Sequence, residues 1–250
     1  QIACASCHDP DLAWADGRGQ SFGHDRAKLA RNSPGVLYAA FTRPLFWDGR
    51  AGTLEEQFRG PIEAHEEMNA TPEEVERRLN AIPEYRKQFK DVFGADRVTL
   101  DDAAKAVATF ERAIGKMAGR SDFDRFLKGK TTALSDAAVR GLHLFRTEAR
   151  CLNCHNGPEF SDNQFHDLGL SYYGRTYEDL GRYKVTGDPK DVGAFRTPTL
   201  RNVARTRPYM HNGFFDLDGV LNMYDVGMPT LRPTSEQAGD PLFPKKDRLL

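Results

Sequence analysis

Hydrophobic positions recur at helical spacing only in parts of this chain. The clearest run is Leu100, Ala103, Val107, Phe110, Ile114 and Met117, a stripe expected in the core, behind a start signal at Thr99-x-x-Asp102. Upstream, Thr71-Pro72-Glu73-Glu74 is a capping box with proline at the first helical position, which predicts a helix over about 71–80. Pro83 opens the next helix and Gly94 closes it. A further box, Thr53-x-x-Glu56, starts a short helix that carries Gln57 and that Pro61 should end. In the second half Ser135 caps a helix to about Arg146, and 200–210 and 217–224 are candidate short helices, the first interrupted by Pro208.

Residues 9–34 and 156–197 follow neither period and are rich in Gly and Asp, which reads as long irregular wraps. After Gly227 the composition turns to Pro, Thr and Asp, a connection expected to run over the surface.

Length and charge narrow the class. The 250 residues can hold one large or two ordinary domains. Lys and Arg number 35 against 36 Asp and Glu, a formal net charge of −1, so no global field draws in nucleic acid or an anionic membrane. No apolar run reaches the roughly 18 residues of a membrane span. Gln1-Ile2-Ala3 contains no signal-peptide pattern and residues 245–250 stop without a closing turn, so both ends read as cut.

Every cysteine belongs to one of two pentapeptides, Cys4-Ala5-Ser6-Cys7-His8 and Cys151-Leu152-Asn153-Cys154-His155. Cys-x-x-Cys-His is the attachment pattern of c-type haem, in which the thiols become thioethers and the histidine ligates the iron. Two disulfides or a Cys4 zinc site compete with that reading, but neither needs a histidine directly after each second cysteine. Two c-type haems are therefore expected, and motifs 147 positions apart favour two domains. The expected fold is mainly α: two cytochrome c-like domains with long loops, each enclosing one haem, over 1–119 and 120–250. The boundary is placed at Gly119-Arg120-Ser121, and the tail after about 228 should pack back on the first domain. Covalent haem is attached outside the bacterial inner membrane, which makes the expected location periplasmic.

The motif histidine fills one axial position of each iron. A strong second ligand makes a haem an electron carrier, while an open position lets peroxide bind. His24, His65, His143, His166, His211, Met68, Met117, Met210, Met223, Met228 and the tyrosines are available, and spacing does not choose among them.

A series of further motifs does. Phe46-Trp47-Asp48-Gly49-Arg50-Ala51, Leu54-Glu55-Glu56-Gln57 with Pro61, Glu67-Met68, Phe195-Arg196-Thr197-Pro198-Thr199-Leu200-Arg201-Asn202-Val203 and Pro208-Tyr209-Met210-His211-Asn212-Gly213 stand in order along the chain. With the two haem motifs, this series resembles the bacterial di-haem cytochrome c peroxidase and MauG superfamily over nearly the whole length. The resemblance implies that the haem on Cys4, Cys7 and His8 reduces peroxide, with Gln57, Pro61 and Glu67 as its distal residues and Glu67 as proton carrier. It implies that His24 is a removable distal ligand, as in the peroxidase branch, and that Trp47 passes electrons between the haems. The haem on Cys151, Cys154 and His155 becomes the electron-transfer centre, with Tyr224, or Met223 as the alternative, on the far side of its iron. Asn32, Thr206 and Pro208 match an inter-haem calcium site.

The leading expectation is a di-haem peroxidase that reduces hydrogen peroxide to water. Its electrons come from a small redox protein, a cytochrome c or cupredoxin, entering at the second haem. The alternative is MauG-like oxidation of a residue on a partner protein through high-valent haem iron, and a third is a plain di-haem carrier. Peroxidases of this kind are often homodimers, although no interface stripe is legible here.

Overall fold

The computed structural model describes residues 2–116 and 120–247. Helices α1 (Leu54–Glu63), α2 (Pro72–Asn80), α3 (Pro83–Phe93) and α4 (Leu100–Gly115) belong to the first half. The second half carries α5 (Asp122–Leu127), α6 (Asp136–Arg146), α7 (Tyr183–Thr186) and α8 (Leu217–Asp225). The side chains of Thr53, Thr71, Thr99 and Ser135 each accept a bond from the backbone N–H three residues on, which satisfies a donor that the first helical turn cannot. Gly94 closes α3 at φ +74°.

Helix α4 packs on α1 over Leu45, Ala51, Leu54 and Ala108. Small residues let the two helices approach, and Ala103, Ala104 and Ala108 are all buried. Phe110, expected in this stripe, is instead 48% exposed, because it lines a large cavity beside the first cysteine motif and meets the ring of Trp14 at 5.4 Å. Met117 and part of the expected domain boundary lie outside the described residues.

Three other expectations are corrected. Pro61 does not end α1, which runs on to Glu63 with Ala64 N–H bonded to the Gly60 carbonyl at 3.0 Å. Proline removes one donor and so leaves the Gln57 carbonyl without its helical partner, but the chain on either side keeps its bonds. Residues 200–210 form only the 3-10 turn Val203–Arg205, entered from Asn202 at φ +58°. Within the wrap after the second motif, strands β1 (Phe165–Asp167) and β2 (Ala194–Arg196) pair antiparallel with Phe165 opposite Arg196.

The tail finds its partners in the second half. Asp247 N–H bonds the Asp167 carbonyl at 2.9 Å, extending the edge of β1, and the Phe243 ring meets Tyr173. The halves are joined elsewhere: Arg31 grips Asp179 through Nε at 2.6 Å and Nη2 at 2.9 Å while its Nη1 reaches Asp48 at 2.6 Å. Arg182 donates to the carbonyls of Asp48 and Gly49. Gly49 turns at φ +71° where a Cβ would strike Phe165, so glycine permits both the turn and the contact.

Candidate functional site

Both pentapeptides make the same local structure. Residues Cys4–Ser6 and Cys151–Asn153 are 3-10 turns, and His8 and His155 each donate their backbone N–H to the first cysteine's carbonyl at 2.9 Å. Each ring is then aimed by a carbonyl from the wrap: His8 Nδ1 bonds Trp14 O at 3.3 Å and His155 Nδ1 bonds Phe160 O at 2.9 Å. Burial pushes both histidines below their ordinary pKa, although these bonds oppose it. Each ring is thus neutral with Nδ1–H committed, which leaves Nε2 as a lone-pair ligand.

A cavity of about 1140 Å3 opens beside the first motif. Cys4, Cys7 and His8 lie in its wall with apolar Leu54, Val107 and Phe110, a lining suited to a flat apolar ring bound through two sulfurs and one imidazole. Gln57 and Pro61 of α1 and Glu67 in the loop beyond it line the same cavity. Burial raises the Glu67 carboxyl, the Arg50 guanidinium pulls it down and Glu66 pushes it up; the net direction is upward. Trp47 also lines the cavity, with its indole N–H donated to Asn32 O at 2.9 Å and its carbonyl accepting Arg196 N–H at 2.8 Å.

His24 is brought near but turned aside. Its backbone N–H bonds Glu67 O at 2.7 Å, while the ring points to Asp25 at 3.5 Å and lies 6.3 Å from His65, and it is not part of the cavity wall. The segments that carry the residues expected at calcium are neighbours, with Asn32 N–H bonded to the His211 carbonyl at 2.7 Å. The Asn32 amide nitrogen donates to the carbonyls of Arg18 and Gly19, which turns its oxygen the other way; a Cβ on Gly19 would meet Pro208, and one on Gly35 would meet Thr206.

Tyr224 on α8 lies near the second motif: partial burial, together with Cys154 and Cys151 in its neighbourhood, pushes its phenol up to about 12. Met223, one position earlier, projects about 100° away around the helix. Leu144, Leu152 and Leu221 remain 47%, 36% and 54% exposed.

Sequence reasoning missed two buried groups. His211, quoted in the motif series and among the available ligands but given no role, is 4% exposed, stacks on Phe195 at 3.6 Å and sits 6.5 Å from Trp47; burial drives its pKa to about 3. Glu111 reads as one polar position in the α4 stripe, yet it lines the first cavity with one carboxylate oxygen unpartnered, and burial raises it to about 7. An acid inside an otherwise apolar helical face was the available signal.

The family described as Di-haem cytochrome c peroxidase matches residues 1–132. The chain belongs to the di-haem cytochrome c peroxidase and MauG family. Cytochrome-c peroxidase IdrP1 of Pseudomonas sp. (strain SCT) is 39% identical over 254 residues, covering 90% of this chain and 67% of that protein. Methylamine utilization protein MauG of Methylorubrum extorquens is 39% identical over 232 residues, covering 90% of this chain and 64% of the relative. The chain therefore spans about two thirds of the length of these relatives. A solved MauG-like protein associated with microbial copper homeostasis superposes with TM-score 0.85 at 31% identity, covering 99% of this chain and 77% of that one. Membership makes this di-haem peroxidase family chain an oxidoreductase with two c-type haems, and it accounts for the mainly helical fold. Among the described residues no helix is long and apolar enough to cross a membrane.

Proposed function

We propose that the chain reduces hydrogen peroxide to water at the first haem site, with electrons entering through the second. The observation that carries this reading is the contrast across the two motifs: a roomy cavity with a half-buried carboxyl on one side, a half-buried phenol near the cysteines on the other. Cys4, Cys7 and His8 would hold the haem, which would supply the redox chemistry for breaking the oxygen–oxygen bond. Glu67 takes the proton from the inner peroxide oxygen and returns it to the outer one, so that the departing group leaves as water. Its burial favours the neutral carboxyl, while Arg50 keeps the anion accessible. Gln57 orients peroxide through its side-chain amide, and Pro61 adds an apolar surface that limits water. Trp47 relays electrons, and its bonds to Asn32 and Arg196 hold it between the halves. Calcium bound through Asn32, Thr206 and Pro208 would stiffen that junction. The location would be periplasmic and the donor a small cytochrome c or cupredoxin.

Two observations favour the MauG-like reading as second choice. The Tyr224 phenol is near enough to Cys154 and Cys151 for them to raise it, and the His24 ring meets Asp25 at 3.5 Å outside the cavity lining. A spectrum of the fully oxidised holoprotein with and without one equivalent of peroxide separates the readings. No response until one haem is reduced supports the gated peroxidase, an immediate response supports the MauG-like enzyme, and no response in either state sinks both.

A further inference from the structure

An aromatic cluster at the rim of the first cavity has no part in the reading above. Tyr172, Tyr177 and Phe214 pack edge to face, with centroid separations of 6.3 Å for Tyr172–Tyr177, 6.3 Å for Tyr172–Phe214 and 5.0 Å for Tyr177–Phe214. Tyr177 and Phe214 line the cavity, yet they are 61% and 39% exposed, so the cluster joins the cavity wall to solvent. It also joins the inter-haem region. Phe214 follows His211-Asn212-Gly213 directly, and His211 stacks on Phe195 and stands edge-on to Trp47.

Packing does not explain this placement. Tyr172 and Tyr177 hold φ of +52° and +73°, a backbone region that disfavours bulky side chains, and the second of them turns most of its ring into water. A phenol is oxidised by losing one electron and one proton, and an exposed phenol can give that proton to water. Ring faces and edges at an open rim also suit stacking of another flat aromatic molecule.

We infer that Tyr177, backed by Tyr172 and Phe214, is a surface oxidation site that takes electrons from small phenolic compounds when no protein donor is bound. The inference rests on the peroxidase reading. Tyr177 passes one electron inward to peroxide reduction and its phenolic proton to water. The resulting tyrosyl radical then takes an electron and a proton from a phenol, which leaves as a phenoxyl radical. Two phenols oxidised per peroxide, with two waters formed, close the balance.

The test uses the holoprotein with both haems. Peroxide is added with a nitroso spin trap and no donor, and the adduct is located by peptide mass spectrometry; guaiacol oxidation and the direct spectral response to peroxide are measured beside it. The expected result is an adduct on Tyr177, lost in Tyr177→Phe, with guaiacol oxidation falling roughly tenfold and the spectral response unchanged. Because Tyr177 is exposed, the variant should fold as the parent does. Adducts confined to other residues, or guaiacol oxidation unaltered in Tyr177→Phe while the spectral response persists, overturn the inference and leave the peroxidase reading standing. A holoprotein whose spectrum ignores peroxide in every oxidation state overturns both.

Discussion

The surroundings of Cys4-Ala5-Ser6-Cys7-His8 and of Cys151-Leu152-Asn153-Cys154-His155 share one face and differ on the other. On the shared face each motif makes a 3-10 turn and a histidine fixed through Nδ1 to a carbonyl of its wrap. On the other, the first meets a cavity bounded by Gln57, Pro61 and Glu67, and the second meets Tyr224. Attachment is thus a local property of five residues. On the proposed reading, reactivity is decided by side chains some 50 to 70 positions further along.

The strongest way to break this contrast is to remove Glu67, the proposed proton carrier. In Glu67→Gln, peroxide reduction should slow by roughly 10²–10⁴-fold, the usual contribution of a positioned general base, while the spectrum of the second haem stays as it was. The pH profile sharpens the assignment. A base works when ionised, and burial raises Glu67 against the pull of Arg50. The parent rate should therefore fall, as pH drops, at a higher pH than an ordinary glutamate near about 4.3 would give, and that acid limb should vanish in the variant. An unchanged limb would assign the proton transfer to another group.

Next in size is the clamp that holds the two surroundings together. Burial alone would raise Asp179, but the hydrogen bonds and charge of Arg31 outweigh it, so its carboxyl is held well below the ordinary range. Its stabilising contribution is complete above the unfolded value of about 3.9 and is lost as pH falls toward the folded value. Asp179→Ala leaves Arg31, already 18% exposed only, with Asp48 as its remaining partner. A loss of roughly 3 kcal/mol in denaturant unfolding is expected; a loss near zero would mean that the halves do not depend on this junction.

Tyr224→Met tests the second surrounding. Exchanging a phenol for a thioether opposite His155 should raise the potential of that haem by at least roughly 60 mV, a tenfold change in a one-electron equilibrium. The first haem's response to peroxide should persist. A potential that does not move would take Tyr224 away from the iron.

These expectations were unequally legible in the sequence. Caps at Thr53, Thr71, Thr99 and Ser135 are local and were readable, as was the proline start of α3, because each depends on a few adjacent residues. Strands of three residues such as β1 and β2 are too short to show a period of two, and they exist because distant segments meet. The orientations of His24 and Phe110 were illegible for the same reason. Helical spacing put Phe110 in the core, whereas the cavity beside α4 gives it a second apolar destination. The distal residues were assigned through the resemblance, since nothing local distinguishes Glu67 from Glu63 or Glu66.

The smallest effects compare a glycine from each surrounding. Gly60 lies in α1 between Gln57 and Pro61, and a Cβ there would stand 2.8 Å from the Phe46 ring. That ring cannot simply retreat, because the Arg50 guanidinium lies 3.4 Å from its centre on a tether to Asp48. Gly60→Ala therefore combines a helix-propensity gain of about 0.5–1 kcal/mol with an overpacking cost of about 1–3 kcal/mol. The net should be a loss of roughly 1 kcal/mol, accompanied by a change in the peroxide response as Phe46 shifts against the distal helix. Gly141 of α6 has nothing within 4 Å of its Cβ position, so Gly141→Ala should keep the propensity gain alone and raise stability by about 0.5–1 kcal/mol. Opposite signs from the same substitution in two exposed-to-buried helical contexts, read by urea unfolding, would show the first surrounding packed to its limit and the second with room to spare. Equal signs would mean that Phe46 yields, and that the distal wall is softer than its contacts suggest.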